Sequence, residues 1–155
     1  MIERTRNPLH RALLTLTGLM GLRVDEAIHV VPQHFNMAEM TLTVRGKGDS
    51  TRVIPISTMA WKYLEPRYKM CLPVYCRLVP YSNRGARKAI TRHGANANIS
   101  RRVSSHDMRA TFLTAAYAKT KDLRAVQELA GHADPKTTMT YTQISMTAMR
   151  EAADV

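Results

Sequence analysis

The spacing of apolar residues changes period along this chain of 155 residues, and that change constrains the fold more than any single motif does. Leu9, Leu13, Leu16 and Met20 return at helical spacing behind Asn7-Pro8, a capping residue followed by a first-turn proline. They predict a helix to about Met20, broken by Gly21, and a second helix over about 24–31 with Arg23 at its entrance. The period then drops to two. Met40, Leu42 and Val44 alternate with Thr41, Thr43 and Arg45, which is a strand pattern. Gly46-Lys47-Gly48-Asp49 forms a turn, and Val53, Ile54 and Ile56 lie on the returning strand. A short strand near residues 34–37 would complete a small antiparallel sheet.

Helical signals resume after the sheet. Ser57 caps a helix through Trp61 to about Leu64, with Pro66 as its stop. Residues 66–81 contain Pro66, Pro73 and Pro80 and carry no pattern that assigns an element. Ser82 caps a basic helix to about residue 93, and Ser104 caps another, with Asp107 in the capping-box position. Asp122 caps a helix bearing Leu123, Val126 and Leu129, terminated by Gly131. Asp134-Pro135 opens a helix containing Tyr141, and Ser145 starts a last short one. No internal repeat interrupts this order. The expected fold class is α+β in one domain: mainly α-helical, with a small three-stranded antiparallel sheet.

Charge narrows the partners. The net charge is +11, with ten Lys/Arg against two Asp/Glu in residues 81–124, and two against four in residues 125–155. A concentrated basic segment is the footprint of nucleic-acid binding, although charge alone fits a merely soluble basic protein equally well. Cys71 and Cys76 lack histidine neighbours at metal-ligand spacing and suit a reducing compartment as core or surface thiols. The apolar stretch at 13–22 is too short to span a bilayer and is broken by glycine, and no signal peptide is visible. A cytoplasmic protein without a membrane partner is expected.

The residues that can carry chemistry are individually ambiguous. His106 and Arg109 share a helix face in a first turn that favours an anion, yet a capping Ser-Ser-His-Asp with an incidental arginine explains them too. Lys47 at a hairpin tip is either a solubilising turn residue or a mobile acid. His132, after the capping Gly131, either bonds the helix end or reaches a ligand. Tyr141 is a core or surface aromatic, or a nucleophile. Arg23 forms an interhelical salt bridge, or is braced by Glu26 so that its fork faces a substrate. A metal site of His106, His132, Asp107 and Asp134 is disfavoured by the nearby arginines, which repel a cation. Joined in order, the set suits metal-free phosphodiester cleavage: arginines neutralise the phosphate, a lysine protonates the leaving oxygen and a tyrosine becomes the covalent partner.

In that order the chain resembles the catalytic domain of tyrosine recombinases, the phage-integrase family. The resemblance is carried by Gly21-Leu22-Arg23-Val24-Asp25-Glu26-Ala27 and by the segment from Arg45-Gly46-Lys47-Gly48 to Arg52-Val53-Ile54-Pro55. It continues in His106-Asp107-Met108-Arg109-Ala110-Thr111, Leu129-Ala130-Gly131-His132 and Thr137-Thr138-Met139-Thr140-Tyr141-Thr142. Ala110 departs from the histidine usual at that place.

The resemblance implies the tyrosine recombinase catalytic-domain fold and a site-specific recombinase acting through a 3′-phosphotyrosine, with Arg23, Lys47, His106, Arg109, His132 and Tyr141 as catalytic residues. Glu26 would support Arg23. Arg84, Arg87, Lys88 and Arg92 would face DNA, and Arg101 and Arg102 would contact its backbone. No cofactor and no metal are implied. The implied partners are double-stranded DNA at attachment or core sites and further copies of the chain in a synaptic tetramer, the free protein being monomeric. The tail at 145–155 would dock on a neighbouring protomer or pack in cis. The family's N-terminal core-binding domain is absent, so a fragment of a longer integrase, acting in a bacterial host cell or nucleoid, is expected. Two alternatives stand beside it: a type IB topoisomerase-like strand swivel, and a non-catalytic DNA-binding module on the same scaffold.

Overall fold

The computed structural model of the protein describes residues 1–46, 48, 50–72, 76–131 and 146–154. Helix α1 (Pro8–Gly18) starts as its sequence predicts: the Asn7 side chain accepts the Leu9 N–H at 2.9 Å, with Pro8 in the first turn. Ala12, Leu13, Leu14 and Leu16 are fully buried, so α1 is a central helix rather than an amphipathic surface one. Each such leucine contributes roughly 2 kcal/mol of burial.

A one-turn helix α2 (Val24–Ala27) and a 3-10 turn at Pro32–His34 lead into strands β1 (Phe35–Asn36), β2 (Thr41–Arg45) and β3 (Thr51–Pro55). They form an antiparallel sheet in the order β1-β2-β3, with Leu42 opposite Ile54 and Val44 opposite Arg52. The period of two therefore turns Leu42, Val44, Ile54 and the charged Arg52 toward the same face.

Helices α3 (Thr58–Cys71), α4 (Asn83–Asn96), α5 (Ser105–Thr120), α6 (Leu123–Ala130) and α7 (Met146–Ala153) complete the order. Helix α1 packs against α3, α4 and α5, and α7 packs in cis against α5, α6 and β3. Met149, Ala152 and Ala153 supply the buried face of α7, and Lys119 Nζ donates to the Asp154 carbonyl at 2.6 Å.

Several expected boundaries differ. Helix α2 ends at Ala27 instead of near residue 31. Pro32 disfavours a helical Val31, which is extended (φ −126°, ψ 160°), and the Val30 carbonyl accepts from Leu78 N–H at 3.0 Å. Helix α1 ends two residues early, and Met40 takes a left-handed φ of 49°, so β2 begins at Thr41. Helix α4 runs three residues past the expected end. Leu123 on α6 is 58% exposed, because Ala125, Val126, Leu129 and Ala130 form its buried face.

The largest correction is Pro66, which does not stop α3. Pro66 lies on the exposed side of the helix, like Lys62, whose carbonyl it leaves without a helical donor. Beyond it Tyr68 packs edge-on against Phe35 (5.1 Å) and Trp61 (5.2 Å), and Cys71 is fully buried. Tertiary packing outweighs the local penalty. Residues 73–75 and the expected helix around Tyr141 lie outside the described residues. Among the described residues no helix is long and apolar enough to cross a membrane.

Pro66→Ala should restore the missing hydrogen bond without disturbing a contact. Urea melts are expected to show a gain of about 1–2 kcal/mol at an unchanged m-value.

Candidate active site

Segments far apart in sequence meet at one carboxylate. Glu26 has a side chain only 4% exposed. Its oxygens accept from Arg23 N–H at 2.8 Å, Arg23 Nη1 at 3.2 Å, and Arg52 Nη1 and Nη2 at 2.8 and 3.0 Å. These four donors fill the lone-pair sites of a carboxylate. Burial pushes the Glu26 carboxyl up, but hydrogen bonding and charge from Arg52, then from Arg23, outweigh it and hold it below the usual range.

Arg109 completes the cluster from α5. It is 6% exposed. Its Nη1 donates to the Gly21 carbonyl at 2.6 Å, its Nη2 to the Ala130 carbonyl at 2.5 Å, and Nη1 lies 3.9 Å from Glu26 Oε2. Burial and then the charge of Arg23 lower its pKa to about 10, which leaves it charged at neutral pH. Gly21 has to be glycine: its φ is +67°, and a Cβ would fall 2.6 Å from the Phe112 ring.

The end of α6 is the second anchor. Its last carbonyls have no helical partner and form the negative end of the helix dipole. Arg52 Nε donates to Leu129 O at 3.2 Å, and Ala130 O accepts from Arg23 Nη1 at 3.5 Å as well as from Arg109. Gly131 ends the helix with a φ of 62°.

Three guanidiniums around one carboxylate leave an excess of positive charge. Arg23 remains 46% exposed and is the cation open to an incoming anion. An anionic oxygen about 4 Å from a guanidinium gains roughly 4 kcal/mol at an effective dielectric near 20. The arrangement can therefore hold the oxygens of a phosphate.

The start of α5 follows the predicted capping box. Ser104 Oγ accepts Asp107 N–H at 3.2 Å, and Asp107 Oδ2 accepts Ser104 N–H at 2.8 Å. The Ser104 hydrogen bonds, then Arg101 at 3.0 Å, lower the Asp107 carboxyl to about 2. His106 is exposed and Arg109 buried, so this helix start sends one side chain to the surface and one into the cluster. Lys47, His132 and Tyr141 lie outside the described residues. Gly46, before Lys47, and Gly131, before His132, adjoin the cluster, whereas Gly48 meets nothing within 4 Å: a Cβ on Gly46 would lie 4.0 Å from Glu26 Oε1, and one on Gly131 2.7 Å from Arg52 Nη1.

A second cationic region lies on α4. Arg84, Arg87, Lys88 and Arg92 are exposed and, with Arg102, line an open groove of about 770 Å³. Asn83 donates to the Asp25 carboxylate and so ties the start of α4 to α2. Arg101 stands apart from this groove, paired with Asp107.

Arg52 is the residue that the sequence reading left without a role. Its signal was the period-two register, which places a charge on the face of Ile54 and Val44. An inward charge on a strand needs a partner, and Glu26 is that partner.

The sequence profile of the Phage integrase family matches residues 3–148. The tyrosine recombinase XerD of Staphylococcus aureus is 31% identical over 153 residues, covering 91% of this chain and 52% of its own length. Among solved structures, the XerA recombinase superposes with a TM-score of 0.73 at 26% identity, covering 94% of this chain and 57% of that one. The XerH site-specific recombinase bound to its difH substrate superposes with a TM-score of 0.69 at 25% identity, covering 99% and 50%. An integrase from mycobacterium phage Brujita shares the fold, with a TM-score of 0.79 at 24% identity, covering 99% and 53%. The chain thus spans about half the length of the relatives it matches.

Neutralising the central carboxylate strands two guanidiniums. Glu26→Gln should cost about 3 kcal/mol at neutral pH. Because the folded carboxyl titrates below its ordinary value of 4.5, its contribution is complete above that pH and is lost as pH falls through the folded value. The stability gap between wild type and Glu26→Gln should be widest near pH 7 and narrow as pH falls below 4.5 and through the lower folded value, read by denaturant melts across pH.

Proposed function

The chain belongs to the phage integrase family, and from that premise we propose that it cleaves and rejoins DNA at specific sites through a 3′-phosphotyrosine. The observation that carries this reading is the arginine cluster, in which Arg23 and Arg109 share one braced, positively charged site. Tyr141 attacks the scissile phosphorus, the bond to the 5′-oxygen breaks, and the phosphate stays on the tyrosine. A phenol with a pKa near 10 is a poor nucleophile at neutral pH, so the reaction needs both proton removal and charge neutralisation. Arg23 and Arg109 hold the non-bridging oxygens as negative charge builds. His106 takes the phenolic proton or orients the site, His132 donates to a phosphate oxygen, and Lys47 protonates the departing 5′-oxygen. Attack by a second strand's 5′-hydroxyl reverses these steps and completes strand exchange.

Double-stranded DNA is the partner. The groove on α4 supplies Arg84, Arg87, Lys88, Arg92 and Arg102, chiefly for phosphate contact, with one arginine of this helix reading guanine edges in the major groove. The likeness to the XerH site-specific recombinase, solved with its difH substrate in a pre-cleavage complex, supports this reading. On DNA four copies assemble into a synapse, and α7, packed in cis in the single chain, docks on a neighbouring protomer.

Nicked suicide duplexes carrying candidate core sites should yield a covalent adduct on a denaturing gel, lost in Tyr141→Phe. Arg23→Ala is expected to slow its formation by about a hundredfold or more. Relaxation of plasmid without site preference would favour a topoisomerase-like swivel, and binding with no adduct at the native site would favour a non-catalytic module. Arg87→Ala and Arg102→Ala should each reduce the log–log salt slope of DNA binding by about 1. Arg101→Ala, already paired with Asp107, should reduce it less.

A further inference from the structure

We propose that Arg52 is a positioning residue for the cleavage step, fixing the β2–β3 hairpin, and with it Lys47, against the arginine cluster. The inference rests on the recombinase reading above. Arg52 stands opposite Val44, one residue pair from the end of the ladder at Arg45 and Thr51. All three nitrogens of its guanidinium are committed: Nη1 and Nη2 to Glu26, and Nε to the Leu129 carbonyl. Its side chain is 12% exposed, and each of its nitrogens already donates to a partner within the protein.

A further contact sets its plane. A Cβ on Gly131 would fall 2.7 Å from Nη1, 2.9 Å from Cζ and 3.1 Å from Cδ, so the guanidinium lies flat against the residue that precedes His132. One rigid plane thus touches the hairpin, the carboxylate that braces Arg23, and the end of α6. Without it, the hairpin loses its tie to Glu26 and to the end of α6, and two-stranded ribbons twist more than wider sheets. Lys47 has to reach the leaving oxygen within hydrogen-bond distance, and a displacement of about 1 Å costs on the order of a hundredfold in rate. A lysine at position 52 would keep the charge but not the planar fork.

The test exploits the leaving group. In the normal step the Tyr141 oxygen bonds to phosphorus, the bond from phosphorus to O5′ breaks, and the Lys47 ammonium gives its proton to O5′. With sulfur in place of the bridging 5′-oxygen, the leaving group departs as a thiolate and needs no proton. Single-turnover cleavage is measured on matched oxygen- and sulfur-bridged suicide duplexes, built on the core site where the wild type forms its adduct.

Arg52→Lys and Arg52→Met should lose on the order of a hundredfold on the oxygen duplex, recover to near wild-type rate on the sulfur duplex, and bind DNA as the wild type does. Lys47→Ala should show the same pattern. Equal loss on both duplexes overturns the proposal and assigns Arg52 to support of the phosphate-holding arginines or of the fold. If Arg52→Met melts below the assay temperature, Arg52→Lys, which keeps a cation beside Glu26, carries the comparison. Failure of the wild type to form an adduct on either duplex would sink the recombinase reading itself, and this inference with it.

Discussion

A carboxylate taken out of water is tolerated only when its lone pairs are filled and its charge is met, and Glu26 is the group on which this structure meets that condition. Its four donors come from the entrance of α2 and from β3, and the same arginines continue to the carbonyls that end α6. The inward Arg52 and the glycine at the end of α6, where a Cβ would meet its guanidinium, both answer that requirement. An apolar trio of similar volume would stabilise a fold as well or better. What it would not provide is an excess of oriented positive charge.

That excess divides into two environments with different work to do. On α4 the cations stand in solvent, where ionic strength screens them beyond about 8–10 Å, so they suit attraction and register along a polyanion. Around Glu26 the guanidiniums are wholly or partly withdrawn from water and already oriented. In the proposed reaction such preorganised charge would need no reorganisation as negative charge builds on the phosphate. The Asn83–Asp25 contact ties the start of α4 to α2, the helix that carries Glu26.

Much of this was legible residue by residue. Asn7, Ser57, Ser82, Ser104 with Asp107, and Asp122 all cap the helices they were expected to cap, and Gly131 ends α6 in the left-handed conformation. Such signals act within about four residues, so the sequence displays both partners. The misreadings occurred where distant packing decides. Pro66 is a helix stop by local rules, and α3 passes it because Tyr68 and Cys71 are held from outside the helix. Val31 was counted as helical until the following proline and the Leu78 N–H are considered.

The order of Arg23, Lys47, His106, Arg109, His132 and Tyr141 along the chain was enough to suggest the chemistry proposed above, because residue type sets charge, proton affinity and nucleophilicity whatever the fold. Their arrangement was not. Arg52 lies in a segment that carries the family resemblance but has no chemical role there, and its value as a brace depends on Glu26, 26 residues away, and on Leu129, 77 residues away. Only the tertiary structure decided that these groups meet. Hydrogen bonds and buried charges are governed by distance in space, and nothing in the local pattern records which far segment the folded core will bring within 3 Å.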